Sequence, residues 1–444
     1  MYDIQIINAK IVTEQGIIAG CLTINNEKVE AISSVPLGEA KRTIDAKGYI
    51  VMPGFIDQHV HFMDPGETDR EDFIHGTTAA AVAGVTTVIE HTHSQPILTV
   101  EDLLNKKAYV GQRALVDFGF AAHIWPGQYE QLENLWHEGI SYFKMFTCTT
   151  HGVPGQNNAS LYHAFTNLAS FGGRALVHCE DDALTAENER ILKETNRQDG
   201  GVIQDWRSKI AEAVSVADVC FLAKETGAYV TIAHLSHPEV VKMVQGAKSN
   251  GANIFGETCP QYLYFEENQL AQRGSFGKFT PPSRSAQESR ELMKLVSRGG
   301  LDIISSDHAP STREHKSSGT IWTTPFGLPG VDTTSAVMLT AVNNGRLSLE
   351  RFVQLYAINP AKILGLYPKK GSIQVGADAD LVLVDLNRRW RIEDDLIRSK
   401  AKWSPFSGFE CIGKPVMTLL RGQVIMEEGK ILVEPGYGKY ADRC

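Results

Sequence analysis

Pro53-Gly54-Phe55-Ile56-Asp57-Gln58-His59-Val60-His61 puts two histidines two residues apart where an apolar run stops. Residues i and i+2 share one face of a strand, so both imidazoles point the same way and can reach one cation. Taken alone, the pair reads equally well as two polar histidines at a strand end. The ends of other apolar runs shift the balance. Val177-His178-Cys179-Glu180, Ile232-Ala233-His234-Leu235 and Ser305-Ser306-Asp307-His308 each put a His or an Asp at the same place. Strands of a (β/α)8 barrel converge on one mouth at their C-terminal ends, and such barrels carry their chemistry there. Four imidazoles and a carboxylate suit zinc first, with manganese, cobalt, nickel or iron open to the same ligand types.

Outward from this stretch, apolar runs alternate with helical ones, as parallel βαβ units require. The strand candidates are 49–52, 86–89, 115–118, 141–144, 175–178, 229–232, 253–256 and 301–304, enough for a closed barrel. Helices are expected over 70–83, 100–110, 205–225 and 289–297, the first with Asp69 as N-cap and Gly84 as its stop. Both ends of the chain read instead as short strands and turns, with Asn25-Asn26-Glu27-Lys28 and Arg421-Gly422 as turn signals. The expectation is an α/β protein: a (β/α)8 TIM barrel over 53–367, and a small β-sandwich domain built from both termini, 1–52 and 368–444.

Composition narrows the function. With 444 residues, 43% apolar and 21% charged, the chain is long enough for a large core and ordinary for a globular enzyme. A net charge of −9 and no Lys/Arg run argue against nucleic acid. No stretch approaches the roughly 20 apolar residues of a spanning helix, and Met1-Tyr2-Asp3-Ile4-Gln5 is no secretory signal. A cytoplasmic protein with no membrane partner is expected. Seven scattered cysteines without a Cys-x-x-Cys pair suit neither a disulfide framework nor a thiolate zinc site.

Lys144, in Tyr142-Phe143-Lys144-Met145-Phe146, closes the fourth run among apolar neighbours. An ammonium there is repelled by cations and costly to desolvate. It is either a snorkelling structural lysine or a neutral amine that has captured CO2 as an anionic carbamate able to bridge two metals. The residues alone favour the structural lysine.

The order His59-x-His61, Lys144, His178, His234, Asp307 resembles the cyclic amidohydrolases: hydantoinases, dihydropyrimidinases, allantoinases and dihydroorotases. Gly256-Glu257-Thr258-Cys259-Pro260-Gln261-Tyr262-Leu263, Pro325-Phe326-Gly327-Leu328-Pro329-Gly330 and Val375-Gly376-Ala377-Asp378-Ala379-Asp380-Leu381 are similar to that family's motifs. The resemblance implies His59, His61 and Asp307 on one metal, His178 and His234 on a second, and Lys144 carboxylated by CO2 as the bridge. It reverses the weighing on Lys144. It also implies a dinuclear-metal hydrolase in which hydroxide opens a hydantoin- or allantoin-type ring, with Asp307 carrying the proton to the leaving nitrogen. The implied partner is a small cyclic amide, and the implied assembly a homo-oligomer, tetramer favoured.

Substrate contacts fit no single branch. Dihydroorotases that resemble this chain carry an arginine where Met63 stands, and a thioether cannot replace a bidentate guanidinium. D-hydantoinases and dihydropyrimidinases usually carry a tyrosine at the position of Thr149, which points toward the allantoinase and L-hydantoinase branches. Met63, His93, Thr149, Cys259, Pro260 and Phe326 are the candidate substrate contacts, with His123 and His151 as neighbours of undecided role. Competing readings are dihydropyrimidinase or another cyclic imide or lactam hydrolase, a deaminase, which the bridging lysine disfavours, and a non-catalytic scaffold, which retention of all six ligand positions disfavours.

Overall fold

The computed structural model describes residues 1–91 and 93–444; Thr92, within the His91-Thr92-His93 segment, lies outside them. Eight parallel strands form the barrel: β1 (Phe55–Val60), β2 (Val85–Glu90), β3 (Asp117–His123), β4 (Tyr142–Phe146), β5 (Arg174–His178), β6 (Tyr229–Ile232), β7 (Ile254–Thr258) and β8 (Ile303–Ile304). They lie in chain order around the sheet. β1, β2, β3 and β4 are buried on both faces along their whole length, which is why they read as unbroken apolar runs.

β8 is too short for a full ladder, and closure onto β1 comes from single contacts. Val60 bridges His308, the His61 amide donates to the His308 carbonyl (2.7 Å), and the Ser306 amide donates to Asp57 Oδ1 (3.1 Å). Tyr356 Oη donates to the other Asp57 oxygen (2.9 Å), so this buried carboxylate ties first strand, last strand and a later helix together.

The stretch 49–52 is not a barrel strand, contrary to expectation. Ile50–Pro53 pairs antiparallel with Leu381–Arg391 and parallel with Tyr2–Thr13, inside a nine-stranded mixed sheet. The chain leaves that sheet at Gly54, whose amide donates to the Asp380 carbonyl. A side chain at Gly54 would collide with Thr86 (2.2 Å), so only glycine lets β1 start alongside β2. The nine strands come from both termini and curl around one core, in which Ile24 and Val29 from one end meet Leu419 and Val424 from the other.

Helix starts also differ from expectation. α1 is Phe73–Val82, capped by Asp72 rather than Asp69; Asp72 accepts from the His75 amide (2.8 Å), and the chain before it is a turn. The expected helix 205–225 is two pieces. Val202–Trp206 ends at Arg207, and α2 (Lys209–Thr226) restarts with Ser208 accepting from the Ala211 amide, a stronger N-cap than any interior serine can be. α3 (Ala286–Ser297) begins at a capping box of Ser285 and Glu288. Among the described residues no helix is long and apolar enough to cross a membrane. All seven cysteines are free, six buried and Cys444 exposed.

Candidate metal centre

The six positions singled out in the sequence meet at the C-terminal mouth of the barrel. His59 lies on β1 and His61 just past it, Lys144 is central in β4, and His178 ends β5; His234 follows β6 and Asp307 follows β8. His59 Nε2 and His61 Nε2 stand 3.3 and 3.4 Å from Asp307 Oδ1. Lys144 Nζ is 3.1 Å from His59 Nε2, and His178 Nδ1 is 3.0 Å from His234 Nε2. His234 (φ 38°) and Asp307 (φ 47°) adopt left-handed backbone, which β-strand geometry would not allow and which side chains rarely tolerate. Such strain persists only where the surroundings fix it, and it gathers at functional sites.

Hydrogen bonds behind the site lock the ring tautomers. His59 Nδ1 faces Glu257 Oε1 (2.7 Å), and His61 Nδ1 faces the His91 carbonyl (2.6 Å). His178 Nε2 faces Glu180 Oε2 (2.7 Å). In each case the partner accepts, so that nitrogen carries the proton and the opposite one presents a bare lone pair toward the others. Glu257 also takes Gln58 Nε2 (2.6 Å) and the His234 amide (3.3 Å), and Glu180 Oε2 takes Thr280 Oγ1 (2.7 Å). Glu257 and Glu180 went without a role in the sequence reading. Both end or follow apolar strands, the signal that picked out His178, but a lone carboxylate there does not say which imidazole it serves.

Burial, with the nearby Lys144 charge, drives His59 and His178 well below the usual imidazole range; burial and His178 do the same to His234. Lowered values favour the neutral ring, the form in which an imidazole can bind a metal. Burial likewise lowers Lys144 to about 8, against the raising effect of Asp307 and Glu257. Burial alone would raise Asp307, but the neighbouring His61 and His234 hold it below its ordinary value.

A cavity of about 480 Å³ opens over this cluster. Met63, His93, Thr149 and Phe326 line it; Cys259 and Pro260 do not, being buried behind it with Cys259 Sγ 3.7 Å from Ser305 Oγ. The Thr149 amide donates to Asp182 Oδ1 (2.7 Å), fixing its loop. His93 Nδ1 is 3.2 Å from His123 Nε2, and its ring stacks on His151 at 5.2 Å, so His93, His123 and His151 form one group beside His61. Trp206 and Arg207 also line the cavity; the apolar pattern over 205–225 runs on as one helix and hides the break between two helices that brings them there.

Residues 50–425 match the model of the Amidohydrolase family. The chain belongs to that family. It is 34% identical to an L-hydantoinase of Paenarthrobacter aurescens, covering 100% of this chain and 98% of that one. It is 32% identical to an allantoinase of Solibacter usitatus, over 96% and 94% of the two chains, and 32% identical to a dihydroorotase of Methanosarcina acetivorans, over 100% and 96%. Among solved structures it superimposes on an L-hydantoinase (dihydropyrimidinase) from Arthrobacter aurescens with a TM-score of 0.96, both chains covered in full. Membership of the amidohydrolase family makes it an enzyme acting on C–N bonds, as the sequence motifs implied.

Proposed function

We propose that the protein opens cyclic amides of the hydantoin or allantoin type, holding two divalent metal ions among His59, His61, Lys144, His178, His234 and Asp307. The observation that carries this reading is the set of tautomer-locked imidazoles, whose bare nitrogens converge with the Asp307 carboxylate under a cavity of about 480 Å³. Nitrogen and oxygen donors without a thiolate suit zinc, and also manganese, cobalt, nickel or iron. In this reading Lys144 is carboxylated by CO2. A lysine lowered to about 8 has neutral amine available near physiological pH, and a carbamate would relieve the cost of a buried ammonium among ligands.

Divalent cations bound here supply an acidified water and positive charge against the scissile carbonyl. The protein's own residues do the rest. Asp307, facing both His59 and His61, takes the proton released by the attacking water and hands it to the departing ring nitrogen. Neutral, fixed imidazoles cost no reorganisation as charge develops. The walls of the cavity, Met63, His93, Thr149 and Phe326 among them, hold the ring against the mouth. A dihydropyrimidinase-type ring remains the alternative, since the structural relatives carry both names. A homo-oligomer, tetramer favoured, fits the exposed apolar stripe of α2, where Ile210, Val214 and Phe221 are 66%, 39% and 64% exposed.

The test is metal content and ring opening of protein produced with divalent metal and bicarbonate. The panel is allantoin, hydantoin, both hands of a 5-substituted hydantoin, dihydrouracil and dihydroorotate. Two metals per chain with turnover of allantoin or a hydantoin is the expected result. A metal-replete protein inert on every ring would overturn the proposal.

A further inference from the structure

Asp307 holds a left-handed backbone (φ 47°), and the residues on either side of it are both tied down. On one side the Ser306 amide donates to Asp57 Oδ1 (3.1 Å). On the other, the His308 amide donates back to Ser306 Oγ (3.1 Å), and the His308 carbonyl accepts from the His61 amide (2.7 Å). His308 is fully buried and does not line the cavity, so its ring faces neither substrate nor solvent. A buried imidazole that the ring-opening chemistry leaves unused must direct both its nitrogens into the protein.

The two nitrogens do so in opposite senses. Nδ1 faces the amides of Gly330 (3.0 Å) and Val331 (3.2 Å), which can only donate, so Nδ1 is bare and Nε2 carries the proton. Nε2 stands 3.3 Å from Glu71 Oε2, which accepts it. Glu71 is fully buried too, and its remaining capacity is filled by other segments. Ser399 Oγ and the Lys400 amide (3.2 Å) donate to Oε2, and the Asp72 amide (3.1 Å) donates to Oε1. Ser399 and Lys400 lie in the connection between Leu381–Arg391 and Glu410–Leu420 of the nine-stranded sheet. A Cβ on Gly330 would meet the Ser306 carbonyl oxygen at 2.8 Å, so the loop that donates to His308 lies hard against the residue before Asp307.

We propose that His308 and Glu71 are positioning residues for Asp307: the imidazole, fixed at Nδ1 by the 330–331 amides and at Nε2 by Glu71, holds the strained backbone that aims the Asp307 carboxylate at His59 and His61. The inference rests on the cyclic-amide reading, in which Asp307 carries the proton, and adds two residues that do not line the cavity. A left-handed backbone at a residue other than glycine persists only where its surroundings over-determine it. His308 supplies that constraint from three directions: the first strand through His61, the 330–331 loop, and the sheet connection through Glu71. With the Glu71 link cut, Asp307 is free to relax, and a misplacement of about 1 Å costs a reacting group about 10²-fold in rate.

The experiment measures kcat, KM and deuterium uptake in His308→Asn, Glu71→Gln, their double variant and Ser399→Ala. Asn at 308 keeps an oxygen for the two amides but cannot reach Glu71; Gln at 71 keeps the shape and brings amide hydrogens among donors. Each of these two is expected to lower kcat by about 10–100-fold while KM stays within about twofold. Ser399→Ala, which leaves the carboxylate in place, should fall between wild type and Glu71→Gln. The double variant should be no slower than the slower single one, because Glu71 acts only through His308. A merely structural role would lower thermal stability and leave the kcat of the folded enzyme unmoved. Deuterium uptake over 303–309, with and without chelator, should quicken in every variant and stay unchanged over α3. Wild-type kcat in both single variants, losses that multiply in the double variant, or unchanged uptake over 303–309 overturns the proposal. If His308→Asn does not fold, Glu71→Gln and Ser399→Ala decide the same question. If wild type opens no ring, the reaction class fails instead, and deuterium uptake still decides the positioning.

Discussion

Asp307 stands within 3.4 Å of both His59 and His61 and, in the proposed reading, serves as ligand and proton carrier at once. Asn at this position keeps an oxygen for a metal but cannot hold the transferred proton. Asp307→Asn is therefore expected to retain most bound metal while kcat falls by about 10²–10⁴-fold, read by metal analysis alongside initial rates. A near-normal rate would remove the proton-carrying role. Glu257 acts one step further back, through His59 Nδ1. Glu257→Gln replaces a carboxylate with a group whose amide always offers donors, so the His59 tautomer is no longer fixed. Metal affinity should drop by about 10–100-fold, measured by competition with a chelator, with little effect on folding. The proposed ligand positions His59, His61, His178, His234 and Asp307 stand out in the sequence because each lies at or just past the end of an apolar strand, and strand ends in a barrel share one mouth; Lys144, central in β4, stands out only through the family resemblance. The partners of these residues do not stand out, since Glu257 and Glu180 earn a role only when the ring each one faces is known.

At the scale of elements, strands were easier to read than helix starts. β1 to β4 are buried on both faces, so period and polarity agree along them. The one misplaced strand, 49–52, lies beside β1 with only Gly54 between Pro53 and Phe55, and two adjacent apolar runs do not reveal which sheet each joins. Helix starts depend on a single cap among several eligible residues, as Asp69 and Asp72 illustrate. α3 shows what a cap contributes. Burial would raise the Glu288 carboxyl, but hydrogen bonds from Lys209 and Ser285 carry it down to about 2 from an ordinary 4.5. A depressed folded-state value means that Glu288 stabilises the fold above pH 4.5 and that this contribution is lost as pH falls through 4.5 toward 2. Ser285→Ala is expected to lower stability by about 1 kcal/mol. Glu288→Gln should destabilise at neutral pH but approach wild type near the acid end of that window, seen as urea midpoints that converge. Midpoints that stay apart at low pH would show that Glu288 acts through packing.

At the scale of the whole molecule, α2 carries two apolar faces. Ala211, Ser215, Val216, Val219, Cys220 and Ala223 are buried within the chain. Ile210, Val214, Ala217 and Phe221 are exposed at spacings of four, three and four, which puts them in one stripe down the outer face. A surface helix in a monomer turns polar side chains outward, and a contiguous exposed apolar stripe marks a contact with another chain. A second copy of this chain is the occupant that the proposed homo-oligomer supplies. Replacing Phe221 and Ile210 together by Glu puts two carboxylates into that contact, where desolvation without a partner is prohibitive. Sedimentation equilibrium should then show a species smaller than wild type. The metal content per chain should be kept, because the proposed ligands lie at the barrel mouth while this stripe faces outward. If wild type and the double variant sediment with the same mass, α2 is not the contact; if wild type itself is a monomer, the assembly proposal falls with it.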